Sequence, residues 1–312
     1  MARTIRLTAA AGVLALAAAL AGCASSNPLG DNNPASSPPS TGAPVTSITV
    51  GSAAFPESEI LAYVYADALQ ASGVAATVTP NIGARDAYIA ALKDGSIDLV
   101  PEYTGNLLQY FDAKATAQSS DDVYTALKTA VPQGYEVLDQ AAAQDADSYN
   151  VTKAFSEKWG VTSLADLKKV TDPITVAANP EFQTRPYGIP GLKSVYGVSA
   201  TLLPINDGGG PNTLKALLDG KAQLADIYST TPSITQNNLV TLADPDHMVL
   251  AQNVVPLINS GKADAAVTQA LDKVQANLTT ADLIEMNTKS SVGKESAQNI
   301  ATEWLKQKNL FG

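Results

Sequence analysis

The chain reads as an α/β protein in two lobes, each a mixed, mostly parallel sheet flanked by helices, with a helical C-terminal tail. Three observations carry this reading. Short β-rich apolar runs alternate with segments of helical period from residue 48 onward. The alternation pauses at the polar stretch 144–150 and then starts again. From about residue 263 to 305 only helical spacing remains. The expected division is a first lobe of residues 46–143 plus 237–312 and a second of 144–236, joined by two crossing segments.

Local pattern justifies the elements in order. SITVG at 47–51 is a strand, and residues 57–70 place Ile60, Leu61, Val64, Ala68 and Leu69 near helical spacing. A strand at 76–79 and a helix at 85–93 follow, the helix stopped by Asp94-Gly95, and a third strand covers 97–100. After the pause, ITVAA at 174–178 is a strand, and a turn-rich segment at 185–191 leads into a short helix. TLLPI at 201–205 is another strand, and the glycine-rich run 206–210 precedes a helix near 214–218. LADIY at 224–228 is the next strand, with further extended runs at 238–242 and 253–257. Two similar βαβ modules result.

Ahead of this body, Arg3 and Arg6, the apolar stretch 9–20 and the run Leu20-Ala21-Gly22-Cys23 resemble a lipoprotein signal. They predict cleavage before Cys23 and acylation of that residue, which would anchor the chain to the outer face of the cell membrane. Residues 23–45, rich in Ser, Pro, Gly and Asn, read as a disordered tether. Cys23 is the chain's single cysteine, so a disulfide framework is excluded. The net charge of −10, made more negative when Arg3 and Arg6 leave with the signal, argues against a nucleic-acid partner.

No recognised catalytic set is present. The single histidine, His247, sits in a turn-like Asp/Pro run, and there is no Gly-x-Ser-x-Gly, P-loop or Gly-x-Gly-x-x-Gly. The pair Asp121-Asp122 reads as a solvated helix start. The expectation is therefore no enzyme, no cofactor and no metal. What stands out is tyrosine at strand and crossover ends. Tyr103 lies in Pro101-Glu102-Tyr103-Thr104-Gly105 after the third strand, where open sheets bind ligands. Tyr149 follows Asp147 in the crossover, and Tyr228 ends the last strand of the second module. Tyrosine faces attract a desolvated cation, and several rings around one point hold a quaternary ammonium. Tyr63, Tyr65, Tyr88, Tyr110, Tyr124 and Tyr135 read as half-buried filler.

At these residues the chain resembles the substrate-binding proteins of glycine betaine, carnitine and choline ABC importers, of the type II periplasmic-binding fold, and most of all their ProX-like members. The marks are Gly51 with Phe55-Pro56-Glu57-Ser58, Lys93-x-Gly95-x-Ile97-Asp98-Leu99 leading into Pro101 to Gly105, Phe182-x-x-Arg185 with Gly188-x-x-Gly191-Leu192, and Tyr228-Ser229-Thr230. They span nearly all of residues 48–312. The resemblance implies a monomer that holds a small zwitterion or quaternary amine between its lobes and delivers it to ABC permease subunits. It places Tyr103, Tyr149 and Tyr228 in an aromatic cage with Asp147 beside them, and Arg185 on the ligand carboxylate. Phe55, Glu57, Arg85 and Thr104 would flank Tyr103, with Tyr187 and Asp207 opposite.

Two departures stand out. Where the family carries a fourth ring, this chain reads Leu250-Ala251-Gln252-Asn253, which leaves Gln252 at the site and Tyr187 as a replacement wall. The run Tyr228-Ser229-Thr230-Thr231-Pro232 replaces the family's Tyr-Ser-Thr-Asp-Gly. With residues 206–210 lining a wider pocket, two alternatives stay open: the same scaffold binding a larger aromatic or polyol compound, and an extracytoplasmic enzyme.

Overall fold

The computed structural model describes residues 47–312. The expected signal, the acylation site Cys23 and the tether lie outside the described residues. The chain runs β1 (Ser47–Gly51), α1 (Pro56–Ala71), β2 (Ala75–Thr79), α2 (Arg85–Asp94), β3 (Leu99–Tyr103), α3 (Thr104–Phe111), α4 (Ser120–Ala130) and β4 (Tyr135–Val137). It continues through β5 (Tyr149–Val151), α5 (Lys153–Trp159), β6 (Ile174–Ala178), α6 (Ile189–Ser194), β7 (Ala200–Pro204), α7 (Pro211–Leu218), β8 (Leu224–Asp226), α8 (Ser233–Gln236) and β9 (Val240–Thr241). β10 (Val254–Asn259), α9 (Ala265–Gln275), α10 (Thr280–Ser291) and α11 (Ala297–Lys308) complete it.

The strands form two five-stranded sheets of matching order, β2-β1-β3-β10-β4 and β7-β6-β8-β5-β9. In each, the first three strands are parallel and the last two antiparallel to their neighbours. Each sheet is covered on both faces. β1 and β3 pack on one side against α1, α9, α10 and α11, with Tyr65, Leu271, Leu283 and Trp304 in one core. Their other side meets α2, α3 and α4 through Ile89, Leu107 and Leu127. The second sheet is similarly flanked, by a core holding Val161, Phe182 and Leu192 and by one holding Leu217 and Ile234.

Two chain segments pass between the sheets, one after β4 and one after β9. They pair with each other: Gln144 and Asn253 form an antiparallel bridge, and the Asp145 N–H donates to the Gln252 carbonyl at 3.1 Å. The second crossing falls later than expected. β9 pairs with β5, and Leu242 and Met248 belong to the second sheet's core, so residues 240–249 sit with the second sheet rather than the first. β5 lies inside the stretch read as a pause. Its three residues carry too little local pattern, and its identity comes from pairing with β8 and β9, both distant in sequence. The third strand also runs on to Tyr103 rather than ending at residue 100, because β10 pairs along its whole length.

Local chemistry sets the helix starts that matter here. α1 opens on Pro56, whose missing N–H is an orphan position anyway. The Ser119 hydroxyl accepts the Asp122 N–H at the start of α4, so the Asp121-Asp122 pair is a helix start as expected. α3 begins directly at the end of β3, and Gly105 permits this: a Cβ there would lie 2.6 Å from the Ala251 carbonyl oxygen.

Candidate ligand-binding site

The loops at the C-terminal ends of the parallel strands converge on a cavity of about 80 Å³ between the two sheets. From the first sheet come Phe55 after β1, Arg85 and Tyr88 on α2, Tyr103 at the end of β3 and Asn106 on α3. From the second come Asn179, Phe182, Arg185 and Tyr187 after β6, Gly208 after β7 and Tyr228 after β8. Asp145 and Asp147 enter from the first crossing segment.

Aromatic rings form two walls. Phe55 stands 5.2 Å from Tyr228, edge to face, and 6.2 Å from Tyr103. Phe182 and Tyr187 meet edge to face at 5.5 Å across the cavity's second side. Tyr187, expected as a replacement wall, is one of the residues that line this cavity.

Charged groups occupy distinct places. Arg85 donates from Nε and Nη2 to both oxygens of Glu102, at 2.8 and 2.9 Å, and Tyr88 donates its hydroxyl to the same carboxylate at 2.7 Å. Burial opposes the Arg85 charge, but the Glu102 carboxylate more than offsets it and holds the guanidinium well above its ordinary value. Tyr88 was expected to be filler; it orients this pair and lines the cavity. Among the described residues the Arg185 guanidinium reaches one carboxylate, the exposed Asp86 at 3.6 Å, and lies 5.3 Å over the Tyr110 ring, so Tyr110 also has a role beyond filler. The Arg185 Nε is buried and has no hydrogen-bond partner among the described residues. Asp147 accepts from the Asn106 amide at 2.5 Å, and burial raises its carboxyl above the usual range, partly countered by Asn106 and the Arg85 charge.

Five expected ligand residues lie behind the cavity lining. Tyr149 is fully buried against Phe182 at 5.9 Å and donates its hydroxyl to the Tyr187 carbonyl, which makes it a support for that wall. The Asp207 carboxylate accepts the N–H groups of Gly210, Asn212 and Thr213 and the Thr213 hydroxyl, so it is spent on capping α7. Thr104 donates its hydroxyl to the Ala251 carbonyl and accepts from the Asn253 N–H, which ties α3 to the second crossing segment. Gln252 makes two hydrogen bonds to Asn106 and fixes that cavity residue from behind. Glu57 is buried beneath Tyr103, accepting its hydroxyl at 2.6 Å, together with the Thr230 hydroxyl at 2.7 Å and the Asn287 amide at 2.6 Å. Burial raises the Glu57 carboxyl, and these donors lower it in part.

Asn106, Asp145, Asn179 and Phe182 are lining residues that sequence reasoning did not single out as ligand contacts. Asn106 carried a faint signal, one helical step beyond the strand-ending Tyr103-Thr104-Gly105. Asn179 gave none: it matters because its side chain accepts the Gly208 N–H and donates to the Tyr228 hydroxyl, contacts made across two loops.

A two-sheet α/β protein with a ring-walled cavity at its strand ends and two crossing segments is a type II periplasmic-binding protein in fold. Residues 46–307 match the family of substrate binding domains of ABC-type glycine betaine transport systems, and the chain belongs to that family. Its members are transporter components, not enzymes. The glycine betaine-binding protein YehZ of Escherichia coli K12 is 26% identical over 275 residues, covering 84% of this chain and 90% of that protein. A solved glycine betaine/carnitine/choline ABC transporter structure is similar with a TM-score of 0.67 at 18% identity, covering 85% of this chain and 100% of that one. A choline binding protein in complex with choline is similar with a TM-score of 0.62 at 13% identity, covering 85% and 89% of the two chains. These two structures show the fold. Among the described residues, no helix is long and apolar enough to cross a membrane.

Proposed function

We propose that the chain binds a small quaternary-ammonium solute of the glycine betaine, choline or carnitine type in this cavity and delivers it to the permease of an ABC importer. The observation that carries the reading is the pairing of a ring-walled pocket with Arg185, which lines the same pocket and whose buried Nε has no hydrogen-bond partner among the described residues. Aromatic faces supply attraction for a cation that has no N–H to donate, at about 0.5–2 kcal/mol per ring. A guanidinium supplies paired donors for a carboxylate at the ligand's other end. In this reading Phe55, Tyr103 and Tyr228 hold the ammonium, Asp147 balances its charge, and Arg185 takes the carboxylate. The two lobes close about the paired crossing segments, and a monomer anchored outside the cell through acylated Cys23 presents the closed form.

A second reading has one supporting observation. A larger, mostly apolar cavity of about 280 Å³ lies on the far side of Phe55 and Tyr228, between the glycine-rich loop 208–210 and α10. That space favours a bulkier aromatic cargo.

Calorimetric titration of the chain with glycine betaine, choline, carnitine, proline and larger aromatic and polyol compounds tests both. Saturable one-site binding of a quaternary amine is expected, weakened about tenfold in Tyr228→Ala. Arg185→Gln should weaken glycine betaine but leave choline, which has no carboxylate, nearly unchanged. Binding of larger compounds alone would overturn the first reading in favour of the second.

A further inference from the structure

Asp226 ends β8 with its carboxylate fully buried, and neither oxygen has a hydrogen-bond partner among the described residues. Its position follows from register. Tyr149 pairs with Asp226 across the antiparallel β5–β8 ladder, and the ladder continues as the Ile227 and Ser229 N–H groups donate to the Ser148 and Ala146 carbonyls. Side chains alternate along a strand, so Asp147 and Tyr149 share one face with Asp226 and Tyr228. Asp147 and Tyr228 reach the cavity, and Asp226 lies beneath them.

Two carboxyl groups stacked in this way cannot both be ionised at small cost, because burial and mutual repulsion each favour a proton. The groups facing the pair leave little choice. Asp145, Tyr149, Tyr187 and Tyr228 offer no positive charge, and the Arg85 guanidinium is already engaged by Glu102. We infer that Asp226 is a specificity-determining residue that stays protonated and donates its hydrogen to Asp147, fixing Asp147 as a single oriented negative charge toward the cavity. The inference rests on the cavity reading above for its ligand, a cationic headgroup. Burial and the Asp147 charge both push the Asp226 carboxyl well above its ordinary value, in accord with the geometry.

The test has two readouts on the full chain. In the first, carboxyl carbon resonances of ¹³C-labelled aspartate are followed with pH, without ligand. One resonance should remain protonated far above the ordinary carboxylate range and vanish in Asp226→Asn. An Asp226 that titrates like a free aspartate overturns the inference whatever the protein binds.

In the second readout, choline affinity is compared in wild type, Asp226→Asn and Asp226→Leu. The amide of Asn is neutral and can donate as the protonated acid does, so its affinity should stay within about twofold. Leu offers no donor and should lose about tenfold or more, in the range of a hydrogen bond to a charged group. A tenfold loss in Asp226→Asn would mean that Asp226 supplies charge, which overturns the inference. If wild type binds no quaternary amine at all, the proposed function fails and the resonance measurement still decides the state of Asp226.

Discussion

β3 and β8 occupy the same middle place in two sheets of matching order, and each carries an acid one or two residues before a cavity tyrosine: LVPEY against LADIY. Their acids meet opposite fates. Glu102 receives a bidentate guanidinium, a phenol hydroxyl and the Tyr103 N–H, whereas neither Asp226 carboxylate oxygen has a hydrogen-bond partner among the described residues. The difference comes from the sheet face that each acid occupies. Glu102 shares a face with Val100, which packs with Tyr88 and Ile89 of α2 and so meets Arg85, whereas Asp226 shares a face with Leu224 and points away from Ala225 and Ile227, which pack with Leu217 of α7. The offset of one residue between LVPEY and LADIY therefore sets one acid against the helix that carries Arg85 and turns the other away from α7. A third buried acid, Glu57, stands between these cases, with no cation but three neutral donors.

The largest expected effect breaks the first member of this comparison. Glu102→Gln leaves the buried Arg85 facing an amide, and urea unfolding should show a loss of about 3–5 kcal/mol. A loss under about 1 kcal/mol would mean the ion pair does not hold this part of the fold. Thr230→Val removes one donor from Glu57 and one acceptor from Asn287, so about 1–3 kcal/mol should be lost. Because Thr230 follows β8 and Glu57 lies on α1, the same change should also loosen the contact between the two halves, seen as faster amide exchange in α10. Tyr88→Phe keeps the guanidinium and removes one donor from Glu102, with an expected cost of about 1 kcal/mol.

The last expected effect concerns pH, and its size grows with the distance between the folded-state and ordinary values. The Asp226 carboxyl is raised in the folded protein by burial and then by Asp147. The folded state then holds this proton more tightly than the unfolded chain does. That contribution is full below the ordinary carboxylate range and is lost as pH rises toward the folded-state value. Thermal midpoints of Asp226→Asn should gain on wild type between about pH 4 and pH 8. A difference that stays flat across that range would mean that Asp226 does not hold its proton in the folded protein.

Much of the first half of the molecule was legible in advance. The alternation from β1 to β3 rests on runs long enough to show their period, and Phe55, Arg85 and Tyr103 stand at strand ends where the cavity forms. The second half was read less completely. β5 and β9 are short, and only their partners define them. Tyr149 looked like a cavity ring because it sits at a chain crossing, yet alternation carries its side chain behind Tyr187. Tyr88 looked like filler because helical spacing shows which face a residue occupies and not which acid lies across from it.

Local spacing by itself determined the α/β class, the two-module plan, the helical tail and the concentration of rings at strand ends, because each depends on residues close in sequence. The tertiary structure alone decided which acid met Arg85, which carboxyl was left without a donor, and which expected ligand residues became supports behind the wall. Those outcomes depend on strand order and register between segments far apart in the chain. A shift of one residue in β5 or β8 would turn Asp147 and Asp226 to opposite faces.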